Sequence, residues 1–102
     1  KDIDNSSWFG FSLIIRPGSS LRRKDVINKL TEKNIETRPI VTGNFTRQPI
    51  FDFLNINVNP EDYKGSEILH KRGFFIGLSC EKISEERINN LVEIFFNYDF
   101  NE

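Results

Sequence analysis

Residues 74–96, FFIGLSCEKISEERINNLVEIFF, contain a short apolar run followed by the clearest helix signal in the chain. The run at 74–78 is typical of a buried strand, because aromatic and β-branched residues favour strands. Ser84 then precedes Glu85 and Glu86, which is the pattern of an N-cap with acidic residues at the positive end of the helix dipole. One face of this predicted helix is apolar: Ile88, Leu91, Val92, Phe95 and Phe96.

Two more strand-like stretches flank an earlier helix. WFGFSLII at 8–15 predicts the first strand, and IETR at 35–38 predicts a second, shorter one. Between them, apolar residues recur at helical spacing over 21–33. Ser20 is placed to cap the start of this helix, and Asn34 is placed to close its end.

A long connection separates the second and third strands. Pro39 and Pro49 bracket a segment in which regular structure is not expected, because proline removes a backbone donor and restricts its own φ. A helical stretch begins at Asn59, is interrupted near Gly65 and continues to Arg72. The connection therefore consists of an irregular loop and then a helix.

The predicted order is β-α-β-loop-α-β-α, which indicates an α+β fold of two layers, with helices packed on a small three-stranded sheet. The length of 102 residues suits a single domain. The chain contains no methionine, which favours the interpretation that it is a piece of a longer protein.

Composition limits the classes of partner. A net charge of −1, from 14 basic and 15 acidic residues, gives no reason to expect nucleic acid or an anionic membrane. No apolar run reaches the roughly 20 residues that span a bilayer, and no signal-peptide core is evident. A single cysteine, Cys80, excludes an internal disulfide. We expect a cytoplasmic protein without a metal site, and a half-buried thiol at Cys80.

The loop at 36–51, ETRPIVTGNFTRQPIF, carries two arginines in an otherwise irregular segment. The guanidinium groups of Arg38 and Arg47 are planar forks of donors that pair bidentately with carboxylates or phosphates. Connections of this length are often functional. One interpretation is an anion-binding loop; the alternative is that both arginines are solvated or paired with nearby acids.

Four residues of this loop form the candidate site. Gly43 permits a positive φ, so the backbone can turn tightly and present Asn44 and Arg47 on the same side. Gln48 adds an amide donor and acceptor beside them. Together with Arg38, these side chains predict a polar clamp for an anionic ligand.

Other candidates are weaker. Arg22, Arg23 and Lys24 lie in the first turn of a predicted helix, where free amide groups attract phosphate, but a solvated surface is the favoured interpretation. His70 has no partner nearby in sequence and is expected on an exposed helix face rather than in catalysis. The chain has no other histidine, so it does not look self-sufficient for catalysis.

Two segments resemble a known family. IETRPIVTGNFTRQP at 35–49 and SWFGFSLII at 7–15 are similar to the C-terminal small domain of DegT/StrS-type nucleotide-sugar aminotransferases. Within that family the similarity is to the 3-dehydratases of nucleotide-linked 4-keto-6-deoxyhexoses. The resemblance implies the aspartate-aminotransferase fold (fold type I), with residues 1–102 as a single C-terminal small domain. The large domain that binds pyridoxal 5'-phosphate or pyridoxamine 5'-phosphate then lies outside this chain.

The resemblance also implies roles for the loop. Arg38, Asn44, Arg47 and Gln48 would contact a CDP- or GDP-linked sugar, the surroundings of the cofactor or the carboxylate of the amino donor. The enzyme would act in lipopolysaccharide O-antigen synthesis. No catalytic residue and no metal ligand is implied for this chain. The residue that holds the cofactor, a lysine that becomes histidine in the dehydratase branch, belongs to the large domain, so His70 does not match it. Implied partners are the protein's own large domain and a second copy in a homodimer.

Two alternatives remain open at this point. The first is that the domain comes from a sugar aminotransferase of the same family. The second is that it is a free-standing anion-binding or interaction module. Both stay open because fold alone does not determine function. If it is one domain of a larger enzyme, its partner-facing surface should be unusually apolar, with Trp8, Phe9 or Phe45 as candidates. The isolated chain is then expected to be inactive.

Overall fold

The structure is a computed structural model, and it describes residue 5 and residues 7–97. Within these residues the chain forms strands and helices in the order β1 (Gly10–Ile14), α1 (Arg23–Glu32), β2 (Thr37–Arg38), α2 (Ile50–Phe53), α3 (Lys64–Arg72), β3 (Gly73–Gly77) and α4 (Glu85–Asn97). None of the helices in this part of the chain has the length and apolar character needed to cross a membrane.

The three strands form one antiparallel sheet in the order β1-β3-β2. β3 is the central strand and runs antiparallel to both neighbours, with Leu13 opposite Phe74 and Thr37 opposite Ile76. β1 and β2 are therefore parallel to each other, with α1 as their connection and β3 inserted between them. This is a split β-α-β arrangement, and it confirms the predicted α+β fold with a three-stranded sheet.

The hydrophobic core lies between α1 and one face of the sheet. Leu30 and Phe74 are almost fully buried, and Val26 and Ile15 complete the cluster. Val26 and Leu30 are four positions apart and so lie on one face of α1. Six partly buried side chains pack around this cluster: Leu13, Leu21, Ile27, Ile35, Ile94 and Phe95.

The two ends of α1 differ in how they are stabilised. The predicted N-cap, Ser20, is wrong: α1 begins later, its N-cap residue is Arg22, and no side chain caps it. The C-terminal prediction is correct, because Asn34 adopts the left-handed conformation with φ of 60°. Its neighbour Ile35 donates its backbone N–H to the carbonyl of Leu30 at 3.0 Å. This is a Schellman ending, which satisfies carbonyls at the end of the helix.

The predicted interruption near Gly65 is displaced. A 3₁₀ turn at Pro60–Asp62 comes first, and the side chain of Asn59 accepts the backbone N–H of Glu61 at its start. The break falls at Tyr63, and Gly65 lies inside α3, where an added Cβ would meet no atom within 4 Å. A glycine in a helix lowers its stability without forcing a break.

α3 continues directly into β3. Gly73 is the first residue of the strand, and a Cβ at that position would lie 2.6 Å from the carbonyl oxygen of Leu69 and 2.7 Å from a side-chain carbon of Ile40. The helix end, the strand start and the loop after β2 thus approach one another at a point where only glycine fits.

In α4 the predicted cap is confirmed, and the predicted apolar face is only partly buried. Ser84 accepts the backbone N–H of Arg87 at 3.3 Å. Ile94 and Phe95 pack against the core, whereas Phe96 is 84% exposed. Ile88 and Val92 are also exposed. The helix therefore contacts the domain through one edge of its apolar face.

Large apolar side chains remain on the surface, as expected for a domain with a partner. Trp8 is 50% exposed, Phe9 is 81% exposed and Phe45 is 56% exposed. Phe9 also contacts the ring of Phe75 on β3, with ring centroids 5.8 Å apart. All three of the candidates chosen from the sequence are thus accessible.

Candidate functional site

The loop between β2 and α2 turns sharply at Gly43 and lies against α3. Gly43 has φ of +61°, which confirms the predicted tight turn. A Cβ here would lie 2.6 Å from Nδ1 of His70 and 2.9 Å from its Cα. Glycine is therefore required at this position both by the backbone conformation and by the close approach of the helix.

Asn44 is a buried anchor of the loop, 1% exposed. Its Oδ1 accepts the backbone N–H of Thr46 at 3.1 Å and the hydroxyl of the same residue at 2.6 Å. Its Nδ2 donates to the carbonyl of Pro60 at 3.1 Å and to Oε1 of Glu67 at 2.8 Å. Its backbone N–H donates to Nδ1 of His70 at 3.3 Å. The side-chain amide thus has its full complement of hydrogen bonds inside the protein.

Arg47 forms a two-bond fork with the buried carboxylate of Glu67. Nε donates to Oε1 at 2.6 Å and Nη2 donates to Oε2 at 2.8 Å. Lys71, one helical turn further along α3, places its Nζ 2.8 Å from Oε2 of the same carboxylate. Glu61 lies at the exposed side, 3.1 Å from Arg47 and 3.3 Å from Lys71. The negative charges of the two glutamates therefore balance the positive charges of Arg47 and Lys71.

The electrostatics of this cluster favour the charged forms of Arg47, Glu67 and Lys71. Hydrogen bonds from Arg47, then from Lys71, hold the pKa of the Glu67 carboxyl far below its usual range, against the opposing effect of its own burial. The same hydrogen bonds raise the pKa of Arg47 and of Lys71 above their ordinary values. The carboxylate is therefore charged at every pH at which an enzyme normally works.

We call this arrangement of Asn44, Arg47, Glu67 and Lys71 the Glu67 cluster. It connects the loop after β2 with α3, which leads directly into the central strand of the sheet. The Asn44 and Arg47 side chains do meet, as the sequence predicts, but they meet on a carboxylate of the protein itself.

Arg38 lies in a different environment from the other predicted residues. Its Nη2 donates to Oε1 of Glu36 at 2.6 Å, and both side chains are exposed. It lines an open cavity of about 480 Å³ between the end of β2 and α4, together with Ile76 and Arg87. Arg38 and Arg47 are thus both paired with acids, as the alternative interpretation expects, and they line separate cavities.

Gln48 lies beside the Glu67 cluster at the edge of a second open cavity, of about 540 Å³. Its neighbours there include Thr46, Asp52 and Asn55. Within residues 7–97 the Gln48 side chain makes no hydrogen bond, and it is half-buried. Hydroxyl and amide groups around this cavity can donate to and accept from a polyhydroxy ligand.

The basic turn at the start of α1 does not form an anion site. Arg22 pairs with Asp25 through bonds of 2.6 and 3.1 Å. Arg23 donates to the backbone carbonyls of His70 at 2.6 Å and Gly73 at 3.2 Å, at the C-terminal end of α3. Arg23 therefore stabilises a helix end, where a cation is favoured by the helix dipole.

The single histidine and the single cysteine have environments that differ from the predictions. His70 is half-buried against the loop rather than exposed, because its Nδ1 accepts the backbone N–H of Asn44. Cys80 is exposed rather than half-buried. Among the residues with described positions, no group of three or more His, Cys, Asp or Glu is arranged to hold a metal ion.

Sequence reasoning missed Glu67, which the structure places at the centre of the site. The available signal was the spacing of Glu67 and Lys71, an i,i+4 pair that is typical of exposed helix surfaces and predicts nothing further. The distance of 20 residues between Arg47 and Glu67 hides their contact.

The fold and the anchored loop define a small α+β domain, and comparison with known proteins identifies its family. The family model described as the DegT/DnrJ/EryC1/StrS aminotransferase family matches residues 1–96. The chain belongs to this family, which confirms the resemblance read from 7–15 and 35–49.

Within this family, the chain is similar to characterised 3-dehydratases. The GDP-4-keto-6-deoxy-D-mannose 3-dehydratase of Yersinia pseudotuberculosis is 38% identical over 95 residues, covering 92% of this chain and 24% of that protein. The solved Escherichia coli GDP-4-keto-6-deoxy-D-mannose-3-dehydratase with bound hydrated PLP is 38% identical, with a TM-score of 0.69 over 87% of this chain and 23% of that one. This chain thus spans about a quarter of the length of the proteins it matches.

A further solved relative holds a nucleotide sugar. It is a variant of GDP-4-keto-6-deoxymannose-3-dehydratase with bound GDP-perosamine, 36% identical, with a TM-score of 0.70 over 87% of this chain and 23% of that one. The agreement in backbone extends over most of this chain, so the three-stranded sheet and its helices have the fold of the corresponding part of these enzymes.

Proposed function

We propose that this chain is the C-terminal small domain of a PLP-dependent nucleotide-sugar 3-dehydratase. The substrate class would be a GDP-linked 4-keto-6-deoxyhexose that loses its C3 hydroxyl on the way to a lipopolysaccharide sugar. The observation that carries this proposal is the 38% identity to the Yersinia pseudotuberculosis dehydratase over 92% of the chain. The large, cofactor-binding domain would be supplied by the rest of the parent protein.

Within that enzyme, the contribution of this domain would be to close over the substrate. The residues proposed to serve substrate binding, by contact with the substrate or by holding the loop that contacts it, are Arg38, Asn44, Arg47 and Gln48, and they lie on or beside the loop after β2. A polar loop held by a rigid sheet and helix is where binding residues are commonly found. Arg38, Arg47 and Gln48 line open cavities, which supports access of the substrate to this side of the domain.

The cofactor is assigned to the parent protein and not to a site within this chain. Pyridoxal phosphate needs a cradle of donors for its anionic phosphate. Here the charge of Arg47 is already balanced by Glu67 and Glu61, and Asp52 lines the neighbouring cavity. These residues do not fit a phosphate cradle. When bound by the large domain, the cofactor supplies the electron sink for the reaction.

The partners of the domain form part of the same proposal. The exposed side chains of Trp8, Phe9 and Phe45 support a contact with the enzyme's own large domain or with a second copy in a homodimer. A cytoplasmic location is also proposed. It is compatible with Cys80, the single cysteine of the chain, being a free and exposed thiol.

The test uses the full-length parent protein with pyridoxal phosphate, glutamate and GDP-4-keto-6-deoxy-D-mannose. A 3-dehydratase converts the sugar to a 3-deoxy product, seen as a new C3 methylene by NMR and as the loss of one oxygen by mass spectrometry. A 4-amino sugar instead identifies an aminotransferase. No conversion, together with no binding of the nucleotide sugar in calorimetry, overturns both enzymatic proposals and favours an interaction module.

The matched control omits pyridoxal phosphate. Residual conversion without the cofactor would show that the reaction does not belong to this enzyme class. Sequence outside this chain offers a second check, because the resemblance places histidine at the cofactor position of dehydratases and lysine at that of aminotransferases.

A further inference from the structure

Glu67 is the point at which the loop after β2 is attached to the rest of the domain. Its side chain is 7% exposed and accepts hydrogen bonds from Asn44 and Arg47, which are both in the loop. Lys71, which lies on α3 with Glu67, pairs through its Nζ with Oε2 of the same carboxylate. One carboxylate therefore connects three segments: the loop, its neighbouring 3₁₀ turn through Asn44 and Pro60, and α3.

We propose that Glu67 is a positioning residue that holds residues 43–48 in a preorganised, substrate-ready conformation, and that Arg47 acts through Glu67 rather than by gripping the substrate's diphosphate. This inference rests on the proposed function for its substrate class. It divides the loop into residues that anchor it and residues that face the ligand.

The geometry of Arg47 argues against a direct phosphate contact. A guanidinium has two edges that can bind a phosphate bidentately, and both include Nη2. In Arg47, Nε and Nη2 form one of these edges, and both donate to Glu67. Nη2 is shared with Glu61. Releasing Arg47 to a diphosphate would leave the Glu67 carboxylate buried with only Lys71 and Asn44 as partners, which opposes the exchange.

Arg47 and Gln48 line the same cavity, but Nε and Nη2 of Arg47 donate to Glu67 and Glu61, which leaves Gln48 as the ligand-facing residue of the anchored segment. Gln48 directly follows Arg47, so fixing the arginine also fixes the backbone that carries the glutamine. The cavity that Gln48 lines contains a hydroxyl and amides from Thr46, Asn55 and Asn57. These groups suit the hydroxyls of a sugar or ribose rather than a doubly charged phosphate.

Preorganisation predicts a particular pattern of defects. If the loop is no longer attached to Glu67, substrate binding should be weaker. Part of the binding energy is then needed to order the loop when the substrate binds. The chemical step, which takes place at the cofactor in the other domain, should be less affected. A defect in KM with a nearly unchanged kcat is the expected signature.

The experiment compares Glu67→Gln with the matched control Glu61→Gln in the full-length protein loaded with pyridoxal phosphate. Both substitutions remove an acid that pairs with Arg47, but the Glu61 side chain is 62% exposed and the Glu67 side chain is 7% exposed. We expect E67Q to speed amide hydrogen exchange in residues 43–48 by roughly tenfold and to raise the KM about tenfold, while E61Q changes either quantity less than about twofold.

Substitutions of Arg47 separate the two roles. R47K keeps a positive charge for a phosphate but cannot form the two-bond fork with Glu67. If Arg47 is a positioning residue, R47K and R47A raise the dissociation constant of GDP to a similar extent, and R47A adds less than about twofold in an E67Q background. Near-normal GDP affinity in R47K, or a further loss of about tenfold in the double variant, overturns the proposal.

Hydrogen exchange is measured without ligand, so it tests the positioning role even if the substrate class is wrong. Unchanged exchange in residues 43–48 of E67Q overturns the positioning role. Failure of the wild-type protein to bind GDP, with the loop still released in E67Q, contradicts the proposed substrate class alone. If E67Q does not accumulate as a folded protein, R47A carries the same exchange test, because Arg47 is one-third exposed.

Discussion

The core beneath α1 and the Glu67 cluster beneath the loop stabilise this domain in opposite ways. The core is apolar and is centred on Leu30 and Phe74, which pack without directional constraint. The Glu67 cluster is polar and depends on bonds of 2.6 to 2.8 Å between Glu67 and the Asn44 and Arg47 side chains.

This contrast between apolar and polar contacts distinguishes the interactions that fold the domain from those that shape its functional surface. Apolar burial contributes to stability in proportion to area and tolerates small shifts. A buried carboxylate has few acceptable positions for its partners, because each unsatisfied oxygen is unfavourable. The core therefore determines whether the domain folds, and the cluster determines the conformation of the loop.

Leu30→Ala should have the largest effect, because Leu30 is 0% exposed and the substitution leaves a cavity in a small core. We expect a loss of about 2–5 kcal/mol in the free energy of unfolding of this domain. The measurement is denaturant-dependent hydrogen exchange of its peptides in the full-length protein. Asn28→Ala, on the exposed side of α1, is the control and should change the value little. Equal effects of the two would contradict the assigned core.

Gly43→Ala should come next, since the added methyl combines a positive φ with a close approach to His70. We expect about 1–3 kcal/mol of destabilisation, concentrated in the loop. Gly65→Ala is the matched control, because Gly65 lies in α3 with no atom within 4 Å of an added Cβ. That change should stabilise the protein by about 0.4–1 kcal/mol. If both substitutions changed the stability in the same direction, that result would contradict the described turn at Gly43.

The pH dependence of stability gives a third comparison. The pKa of Glu67 is lowered in the folded protein by Arg47 and Lys71, so the cluster contributes its stability above the ordinary glutamate pKa of about 4.3. This contribution is lost as the pH falls through the lower, folded pKa. The difference in unfolding temperature between wild type and E67Q should be constant from about pH 6 to 8 and shrink below about pH 4.

Glu61 and His70 also contact the Arg47 and Asn44 that surround Glu67, so the experiment needs a control variant for each of them. The difference in unfolding temperature between wild type and E61Q should be small across the same pH range, because the Glu61 side chain is largely solvated. The measurements should also be repeated with His70→Gln, because the His70 ring accepts the backbone N–H of Asn44 beside the cluster. A wild-type and E67Q difference that grows in acid would contradict the assigned role of the carboxylate.

Arg38→Gln should have the smallest effect on stability. Its pair with Glu36 is exposed, and such pairs contribute about 0–1 kcal/mol. Thermal unfolding of the full-length variant checks this, with Glu36→Gln as the matched control. The two variants should differ in GDP binding: we expect weaker binding only for R38Q if Arg38 contacts the nucleotide sugar. Unchanged GDP affinity in R38Q would remove Arg38 from the proposed site.

Much of the fold was accessible from local sequence. The strands at 8–15, 35–38 and 74–78 were predicted because β-branched and aromatic residues are concentrated there. The end of α1 at Asn34 and the cap at Ser84 were predicted because these residue types have specific local hydrogen-bonding roles. Each of these signals acts over a few residues.

The errors in the fold arise where neighbours in space override local preference. Ser20 is a suitable cap residue, yet α1 begins at Arg23 without a side-chain cap. Gly65 remains helical because the surrounding part of α3 is held by contacts such as that of Glu67 with the loop. The apolar face of α4 was predicted from periodicity, but the sheet is too small to cover Phe96.

By itself the sequence determined the order of strands and helices, the turn at Gly43 and the segment in which the polar loop residues lie, since these depend on local conformational preferences. Only the tertiary structure decided that β3 lies between β1 and β2, that Arg38 faces a different cavity from Arg47, and that Glu67 receives Asn44 and Arg47. The reason is physical: a contact across 20 or more residues depends on how α3 packs against the loop, and no pattern of neighbouring residues encodes that distance.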